Sequence, residues 1–335
     1  MVHVLTIQQK KEWREIISRS LKHDFYHTWY YHYLNRSGVP ILFVYEHNSD
    51  FVAFPFIQRA GSQNRSDLVS VYGYVGPVSN RNFQDLDIEM LEGFKESLSL
   101  FLRQQGISSL SSRLHPFIDQ GFLISKLGGD IKEGKSVAID LSIPIEEQRK
   151  NYRRNLWGDI KKMLKKGYYL KENNTDAAVR TFMSIYWENM KRIGAEKVYY
   201  FDEQYFFDFI KSDDFDVRLV SVIAGEETIC ASLITLKNGL IQGYLIGTRG
   251  QYLCESPAKL LVDQVSVMGR ELGMKYYNLG GGLNFEEDQL FKWKSGFSRL
   301  YLNCHKWTCR SFNGAKSLIG FFSNLYFVPW QEGCL

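Results

Sequence analysis

The residues best placed to carry out chemistry lie in one stretch near the C-terminal end of the sequence. Three glycines, Gly280, Gly281 and Gly282, follow a short β-prone run, and a segment in which lysines alternate with large aromatic residues comes soon after. Glycines let a backbone approach a ligand closely. Because Trp293 and Phe297 are expected to be buried, Lys294 should be held in position rather than freely solvated. A positioned cation can stabilise negative charge that develops during a reaction.

Both features also have ordinary structural interpretations. A glycine triplet is often a flexible turn. A lysine between aromatic residues is often a surface residue whose stem packs while its ammonium group reaches water. Asp288 precedes the lysine and is the second candidate for a catalytic side chain.

The elements predicted around this stretch are a strand, a helix and a second strand. The apolar run 240–246 predicts the first strand, and Ser256 followed by Pro257 predicts a helix start with a side-chain cap and proline at the first helical position. Apolar residues then recur at helical spacing until Gly273, a residue typical of helix ends. The run 276–279 predicts the second strand, so the glycine triplet should lie at its tip.

The same stretch resembles a known family. Asn-Leu-Gly-Gly-Gly at 278–282, then Asp288 with Leu290, then Lys294 and Phe297 are similar to the C-terminal signature of the Fem-type transferases and their GNAT-fold relatives from polysaccharide gene clusters. Trp293 stands where that signature has phenylalanine. Those proteins carry two GNAT-like domains in tandem. The Fem enzymes move an amino acid from aminoacyl-tRNA to a cell-wall precursor amine, and the relatives are expected to use an acyl thioester such as acyl-CoA.

The resemblance implies a fold and a function. The fold is α/β, of the mixed α+β kind, with two tandem GNAT-like domains at residues 1–145 and 146–335, each a mixed sheet flanked by helices. The function is N-acyl transfer from an acyl-CoA-type donor to an amine of a cell-envelope or polysaccharide precursor such as an amino sugar. Two alternatives stay open: a Fem-type aminoacyltransferase that uses aminoacyl-tRNA on a peptidoglycan or related precursor, and a non-catalytic GNAT-like scaffold that binds an anionic partner.

The resemblance also implies which residues form the site. Lys294 is the cation near the transferred acyl group, with Asp288 as the second catalytic residue. The predicted donor-binding residues are Arg153, Arg154, Lys161, Tyr244, Ser256, Gly280, Gly281, Gly282, Trp293 and Phe297. The predicted acceptor-binding residues are Tyr72, Tyr74, Arg113, His115, Tyr199 and Tyr200. No metal and no tightly bound cofactor are expected, since acyl-CoA or aminoacyl-tRNA serves as the co-substrate.

One departure from the family limits what can be carried over. The Fem enzyme of this size binds a UDP-linked precursor through basic residues, and the region that should supply its lysine reads Trp-Tyr-Tyr-His-Tyr at 29–33 in this sequence. The helical arm of larger Fem enzymes is not apparent either. The resemblance therefore supports the fold more strongly than the substrate.

A basic segment stands out in a chain whose net charge is only +4. From Arg149 to Lys166 there are eight lysines and arginines and one acid, Asp159, which gives a local charge of +7. Tyr152, Leu156, Ile160 and Met163 recur at helical spacing and predict the buried stripe of a single helix at the junction of the two domains. We expect the cations on its other face to bind the phosphates of the donor, while a merely solvated surface is the alternative.

Composition narrows the class of protein. Hydrophobic residues make up 44% of the 335 residues, which is enough for globular cores. The sequence has no G-x-S-x-G elbow, no Walker loop and no glycine fingerprint followed by a helix, so a hydrolase, a nucleotide-dependent ligase and a dehydrogenase are disfavoured. No set of acidic or cysteine partners converges on His23, His27 and His32, so packing is favoured over metal binding.

Cysteine usage and hydropathy bear on the compartment. Five cysteines without a C-x-x-C pair indicate reducing conditions. No signal-peptide core and no run of ~20 apolar residues is present. We therefore expect a cytoplasmic protein, either free or in peripheral contact with the inner face of the membrane. Its expected partners are a small-molecule acyl donor and an amine acceptor that is nucleotide- or lipid-linked. If the protein is a Fem-type aminoacyltransferase, tRNA is also a partner. DNA is not an expected partner.

Other elements are predicted with less bearing on the site. Strands at 41–46 and 51–58, a helix from Asp85 to Gln105, and a strand at 107–114 precede the basic segment. The helix-glycine-strand order at Gly106 repeats at Gly273 and is a weak internal repeat. A three-stranded meander at 217–223, 228–236 and 240–246 turns at Asn238-Gly239, a strong hairpin signal. The tail, Ser317 to Trp330, is predicted to be a docked terminal segment.

Overall fold

The computed structural model describes residues 1–61 and 65–310 of the chain. The described residues divide into two compact units. The first contains residues 1–133 and 303–310, and the second contains residues 134–302. The predicted domain boundary at residue 145 stays a prediction. The predicted tail segment from Ser317 to Trp330 lies outside the described residues.

Strands and helices are interspersed along the described residues. The strands are β1 (Val2–Thr6), β2 (Val39–His47), β3 (Asp50–Ala60), β4 (Ser66–Val69), β5 (Val78–Ser79), β6 (Ile107–Arg113), β7 (Asp130–Asp140), β8 (Tyr169–Glu172), β9 (Asp216–Ala224), β10 (Glu227–Lys237), β11 (Leu240–Thr248), β12 (Tyr276–Gly280) and β13 (Leu300–Arg310). The α-helices are α1 (Lys10–Arg19), α2 (Trp29–Tyr33), α3 (Ile88–Gln104), α4 (Gly121–Leu127), α5 (Ile145–Lys150), α6 (Leu156–Lys165), α7 (Asp176–Arg192), α8 (Glu203–Ile210), α9 (Ala258–Glu271) and α10 (Gln289–Lys294).

The first unit contains a mixed sheet in the order β1-β2-β3-β4-β6-β13, with β5 also paired to β3. Neighbouring strands are antiparallel except β4 and β6, which are parallel and are linked through α3. Helices α3 and α4 pack on one face of the sheet, and α1 and α2 pack on the other. Trp307 of β13 belongs to the same core, so the C-terminal strand is part of this unit.

The second unit repeats this plan with the strand order β7-β12-β11-β10-β9-β8. Strands β11 and β12 are parallel and joined by α9, while the other pairs are antiparallel. Helices α6 and α9 pack on one face, and α7 and α8 lie against the other through contacts such as Ile185 with Gly247 and Phe209 with Tyr244. Each unit is therefore a mixed sheet flanked by helices, as predicted.

The predicted meander is confirmed in detail. Strands β9, β10 and β11 follow one another in antiparallel register. Asn238 and Gly239 have φ values of +50° and +78°, which is the left-handed conformation that a tight two-residue hairpin turn requires. The dipeptide therefore determines where β10 turns into β11, the strand that leads to the glycine triplet.

The single basic helix predicted between Arg149 and Lys166 is wrong. The segment forms two helices, α5 and α6, because residues 151–155 leave the helical path and Asn155 has a φ of +71°. The backbone N–H of Arg153 donates to the carbonyl of Gly296 at 2.8 Å instead of continuing a helix. The stripe itself is correct, since Leu156, Ile160 and Met163 are buried.

The cysteines only partly follow the predicted reducing state. Cys230, Cys304 and Cys309 are free thiols. Cys254 is disulfide-bonded, which contradicts the expectation that all five cysteines are reduced. Burial raises the pKa of the Cys230 thiol to about 12, so this group stays protonated and inert.

Candidate functional site

A fork between two parallel strands organises the second unit. Strand β11 pairs with β12 only at Leu240 with Tyr276, Ile241 with Tyr277 and Gln242 with Asn278, although β11 continues to Thr248. Beyond Gln242 the two strands diverge. The β12 side of residues 243–248 then offers backbone groups to an extended ligand, in the way that a sheet edge accepts an added strand.

An irregularity in β11 lies at the opening of this fork. Leu245 pairs with Leu233 and Gly243 pairs with Ile234, so β11 contains one extra residue, Tyr244, at this point of the ladder. Such a β-bulge redirects side chains and is common beside functional sites. The Tyr244 ring stacks on Phe209 at 4.6 Å, and its hydroxyl lies 2.5 Å from that of Tyr205. The predicted donor residue Tyr244 is thus at the fork, with its side chain on the α8 side.

Asn278 fills the base of the fork with a buried polar network. Its Oδ1 accepts hydrogen bonds from Ser136 Oγ at 2.6 Å and from the Gly280 N–H at 3.1 Å, and its Nδ2 donates to Gln242 Oε1 at 2.8 Å. The pairing of β12 with β7 is also irregular at this point, between Asn278 and Gly280. The amide replaces main-chain hydrogen bonds where the ladder is interrupted on both sides of β12.

Asn278 belongs to the glycine motif, but the sequence did not predict that it forms part of the site. Gln242 and Ser136 were missed as well. A polar residue inside each of two otherwise apolar strands is a signal that could have found Asn278 and Gln242. Ser136 could not have been found in this way, because its pairing partner lies far away in sequence.

The glycine triplet forms a rigid loop at the tip of β12. Gly280 has a φ of +79°, and a Cβ atom on Gly282 would lie 2.1 Å from the Glu286 carbonyl oxygen. Both positions therefore require glycine. Asp288 closes the loop, because its carboxylate accepts the N–H of Leu283 and that of Phe291 at the start of α10, each at 2.9 Å.

These hydrogen bonds give Asp288 a structural role that does not depend on catalysis. Both oxygens of its carboxylate already accept backbone hydrogen bonds within the loop. Asp288 acts as a helix cap, and such caps commonly stabilise a helix by about 1 kcal/mol. The catalytic role of Asp288 stays a prediction.

Lys294 lies beneath the glycine loop. It is only 2% exposed, and its ammonium group donates to the carbonyl oxygen of Gly281 at 2.7 Å. Burial of a cation is costly unless it is hydrogen-bonded, so this contact fixes the side chain. Trp293 and Phe297 pack in the hydrophobic core beside it, 5% and 0% exposed. Their direct contact with a donor stays a prediction.

The predicted capping role of Ser256 is wrong. Ser256 has a φ of +54°, and the α9 N-cap position is occupied by Pro257, with no side-chain hydrogen bond to the helix. The first turn of α9 therefore keeps backbone N–H groups without a side-chain cap. The positive end of a helix favours anions such as phosphates. Donor binding near Ser256 stays a prediction.

The basic residues of the 149–166 segment divide into two groups. Arg149 is used structurally, since it forms a two-pronged ion pair with the fully buried Asp263 at 2.8–2.9 Å. Arg153 and Arg154 are exposed in the break between α5 and α6, and Lys161 is exposed on α6. Arg153 lies against Gly296, close in sequence to Lys294. These three predicted donor-binding residues remain available to an anion.

The predicted acceptor residues fall in both units. In the second unit, Tyr199 is buried and its carbonyl accepts a hydrogen bond from the Tyr186 hydroxyl at 2.9 Å, whereas Tyr200 is 41% exposed. They lie between α7 and α8. Their contact with an acceptor stays a prediction, and exposure favours Tyr200 over Tyr199 as a contact.

In the first unit, Tyr72, Tyr74, Arg113 and His115 lie at the carboxyl ends of β4 and β6. His115 Nε2 is 3.0 Å from the buried Asp24 carboxylate, and both are nearly inaccessible, so this pair packs the unit rather than meeting solvent. Burial raises the pKa of Tyr72 to about 12, and the nearby Arg113 opposes that rise.

The pKa of Lys306 is lowered. The main cause is burial, and the positive charges of Arg113 and Lys132 add to it.

Comparison with known proteins identifies the domain that contains the fork. Residues 150–295 match the model of the acetyltransferase (GNAT) domain family. This range lies within the second unit and includes the fork, the glycine loop and Lys294. This part of the chain is therefore similar to a GNAT-type acetyltransferase domain. No curated protein sequence matches the chain.

Solved structures share the fold of the whole chain. FemX matches with a TM-score of 0.67 at 12% identity, over 91% of this chain and 96% of FemX. A tandem GNAT protein from the clavulanic acid biosynthesis pathway matches with a TM-score of 0.53 at 9% identity, over 94% of this chain and 100% of that protein. The C-terminal domain of a putative lysylphosphatidylglycerol synthetase from Agrobacterium fabrum matches with a TM-score of 0.54 at 12% identity, over 80% and 84%.

At these identities the structural matches show the fold. The resemblance to FemAB-like transferases of the GNAT superfamily is confirmed at the level of the tandem fold and of the matched domain. The domain match and the fold support acyl transfer as the class of chemistry.

Two further observations concern the described ranges only. None of the helices within residues 1–61 and 65–310 combines the length and apolarity that a membrane span needs. The same residues contain no group of three or more His, Cys, Asp or Glu side chains that could hold a metal ion.

Proposed function

We propose that this protein is an N-acyltransferase that moves an acyl group from an acyl-CoA thioester to an amine of a cell-envelope or polysaccharide precursor such as an amino sugar. The observation that carries this proposal is the fork in the matched GNAT domain. Strand β11 loses β12 as its neighbour beyond Gln242, and Gly280–Gly282 and Lys294 lie at the tip of β12. An extended thioester arm can add to the exposed edge of β11 and bring its carbonyl group towards the glycine loop.

The reaction needs positioning and charge stabilisation more than covalent participation of the protein. The amine nitrogen forms a bond to the acyl carbon, the carbon–sulfur bond breaks, and the thiol leaves with a proton that the amine gives up. Negative charge develops on the acyl oxygen before the thiol leaves. The buried ammonium group of Lys294 stabilises that negative charge, since electrostatic interactions are strong where water is excluded.

The second candidate function is aminoacyl transfer from aminoacyl-tRNA, and a separate observation favours it. Arg153, Arg154 and Lys161 are exposed cations on one short stretch of the second unit. Such a surface suits a long polyanion as well as the phosphates of coenzyme A. The donor therefore decides between the two functions.

Native mass spectrometry of the purified protein with acetyl-CoA tests the donor. A one-to-one complex supports acyl-CoA as the donor. Binding of charged tRNA without binding of acetyl-CoA, together with transfer that RNase abolishes, supports the second function and contradicts the first. If neither donor binds, both transfer functions are wrong and the anion-binding scaffold remains.

A further inference from the structure

The peptide group between Gly281 and Gly282 is held in one orientation. Its carbonyl oxygen accepts the hydrogen bond of Lys294 at 2.7 Å, and both glycines are buried. A trans peptide is planar, with its C=O and N–H bonds pointing in opposite directions. The Gly282 N–H is therefore directed away from the lysine.

This N–H stands out from its neighbours. The Gly280 N–H donates to Asn278 Oδ1, and the Leu283 N–H donates to Asp288 Oδ2. For the Gly282 N–H, in contrast, residues 1–61 and 65–310 supply no acceptor. Buried backbone N–H groups are nearly always hydrogen-bonded, so the Gly282 N–H needs an acceptor from outside these residues, either a water molecule or a ligand.

The location of Gly282 suits such a ligand. It follows the carboxyl end of β12, just beyond the fork, and open α/β sheets bind ligands at the carboxyl ends of their parallel strands. Neither Gly281 nor Gly282 has a side chain that could shield the N–H. A Cβ atom at Gly282 would collide with the Glu286 carbonyl and the Asp288 carboxylate, so the close turn depends on glycine.

The contact of Lys294 with the Gly281 carbonyl bears on the strength of this donor. A cation that binds the carbonyl oxygen polarises the peptide, and polarisation makes the N–H at its other end a better donor. A preorganised backbone donor is the usual means of stabilising the oxyanion of an acyl-transfer transition state. Such a donor needs no movement at the moment of reaction.

We propose that the Gly282 N–H donates a hydrogen bond to the carbonyl oxygen of the acyl group being transferred, and that Lys294 is the positioning residue that orients the Gly281–Gly282 peptide for this task. The assignment rests on the proposed acyl-CoA-dependent function. In this assignment a backbone N–H contacts the oxyanion, and Lys294 acts only by orienting the peptide that carries this N–H.

Amide NMR on the full chain tests this assignment. Labelling glycine with ¹⁵N and with ¹³C at the carbonyl marks the glycine amides that follow another glycine, and in this sequence these are only Gly129, Gly281 and Gly282. Two probes are compared. Acetyl-carba(dethia)-CoA keeps the carbonyl group but cannot transfer it, whereas S-ethyl-CoA has the same arm without the carbonyl oxygen.

The expected result is that both probes bind and that only the ketone probe moves the Gly282 amide proton downfield. Equal shifts with both probes overturn the assignment and leave the proposed function standing. If neither probe binds, the acyl-CoA function fails and the assignment fails with it.

The Lys294→Met variant tests the positioning role. We expect both probes to bind within about threefold of their original affinity, while the carbonyl-dependent shift of Gly282 is lost. Lys292→Met, at an exposed position two residues earlier, should retain the shift. A shift that persists in Lys294→Met overturns the role of the lysine.

Discussion

At the scale of single residues, Lys294 shows how a cation can be retained inside a protein. It lies in a helix end whose aromatic residues Trp293 and Phe297 are buried in the core, and its ammonium group has a backbone carbonyl as a partner. The alternation of lysines and aromatic residues in the sequence predicted this burial. It did not predict the partner, because the Gly281 carbonyl comes from another loop.

We expect Lys294→Met to reduce turnover by ~10²–10³, with the KM for the donor little changed, since one contact that acts in the transition state is lost. The melting temperature should be nearly unchanged, because replacing a buried charge with an apolar side chain of similar length is often neutral. Steady-state kinetics and thermal unfolding measure both quantities.

The exposed Lys292 is the matched control, and Lys292→Met should do much less. Equal and small losses at the two positions would mean that the motif is structural and has no part in the reaction.

His32 provides a pH-dependent test of the first unit. Burial lowers its pKa to about 4, whereas an unfolded histidine titrates near 6.5. As the pH falls below 6.5, the unfolded chain takes up a proton that the folded protein does not, so acidification reduces the free energy of unfolding. We expect His32→Gln to reduce the pH slope of that free energy by about 1 kcal/mol per pH unit between about pH 5 and 6.

Denaturant titrations across that pH range measure this slope. His3, whose side chain is 42% exposed, is the control position. An unchanged slope in His32→Gln would show that His32 takes up its proton equally in the folded and the unfolded protein, and would contradict the lowered pKa.

At the scale of elements, the basic segment shows where local pattern and tertiary context disagree. The apolar spacing correctly identified the buried face of α6. The continuous helix failed because the Arg153 N–H pairs with Gly296 and Asn155 adopts a left-handed conformation. Arg153 and Arg154 are therefore presented from a loop, beside the end of α10.

We expect Arg153→Glu and Lys161→Glu to raise the apparent donor constant, because each places a negative charge where the donor phosphates should bind. The effect should shrink at high salt, since exposed charges are screened within about 10 Å at 0.1 M. Donor titrations at two salt concentrations provide the measurement.

Lys171→Glu is the control, because Lys171 is also exposed and lies on β8 in the same unit. A change in the acceptor constant alone would contradict the assignment of this segment to the donor.

At the scale of the whole molecule, the chain does not divide at a single point. Residues 303–310 belong to the first unit, where β13 pairs with β6 and Trp307 packs beside Phe54. A first domain that ends at residue 145 lacks this strand. Its β6 would expose an unpaired edge and its core would lose a buried tryptophan.

We expect a fragment of residues 1–145 to lack the cooperative unfolding transition that the intact chain shows. Trp307→Ala in the intact chain should destabilise the first unit by about 3–5 kcal/mol, since it removes a fully buried aromatic side chain. Circular dichroism and fluorescence during denaturant unfolding measure both. Cooperative unfolding of the fragment would support the boundary at residue 145.

The sequence by itself determined what depends on local periodicity and turn chemistry. Alternating apolar residues and Asn238-Gly239 specify the meander, helical spacing ending at Gly273 specifies α9, and the glycine motif marks the tip of β12. These features follow from backbone preferences within a few residues, so a single sequence is enough to reveal them.

Only the tertiary structure decided the contacts that make these elements a site. The fork, the Asn278 network with Ser136 and Gln242, and the pairing of Lys294 with Gly281 join segments that are far apart in the chain or that meet only after the sheet has formed. The location of β13 in the first unit was decided in the same way. Hydrogen bonds between distant segments leave no periodic trace in the sequence, because each partner looks like an ordinary residue of its own strand or loop.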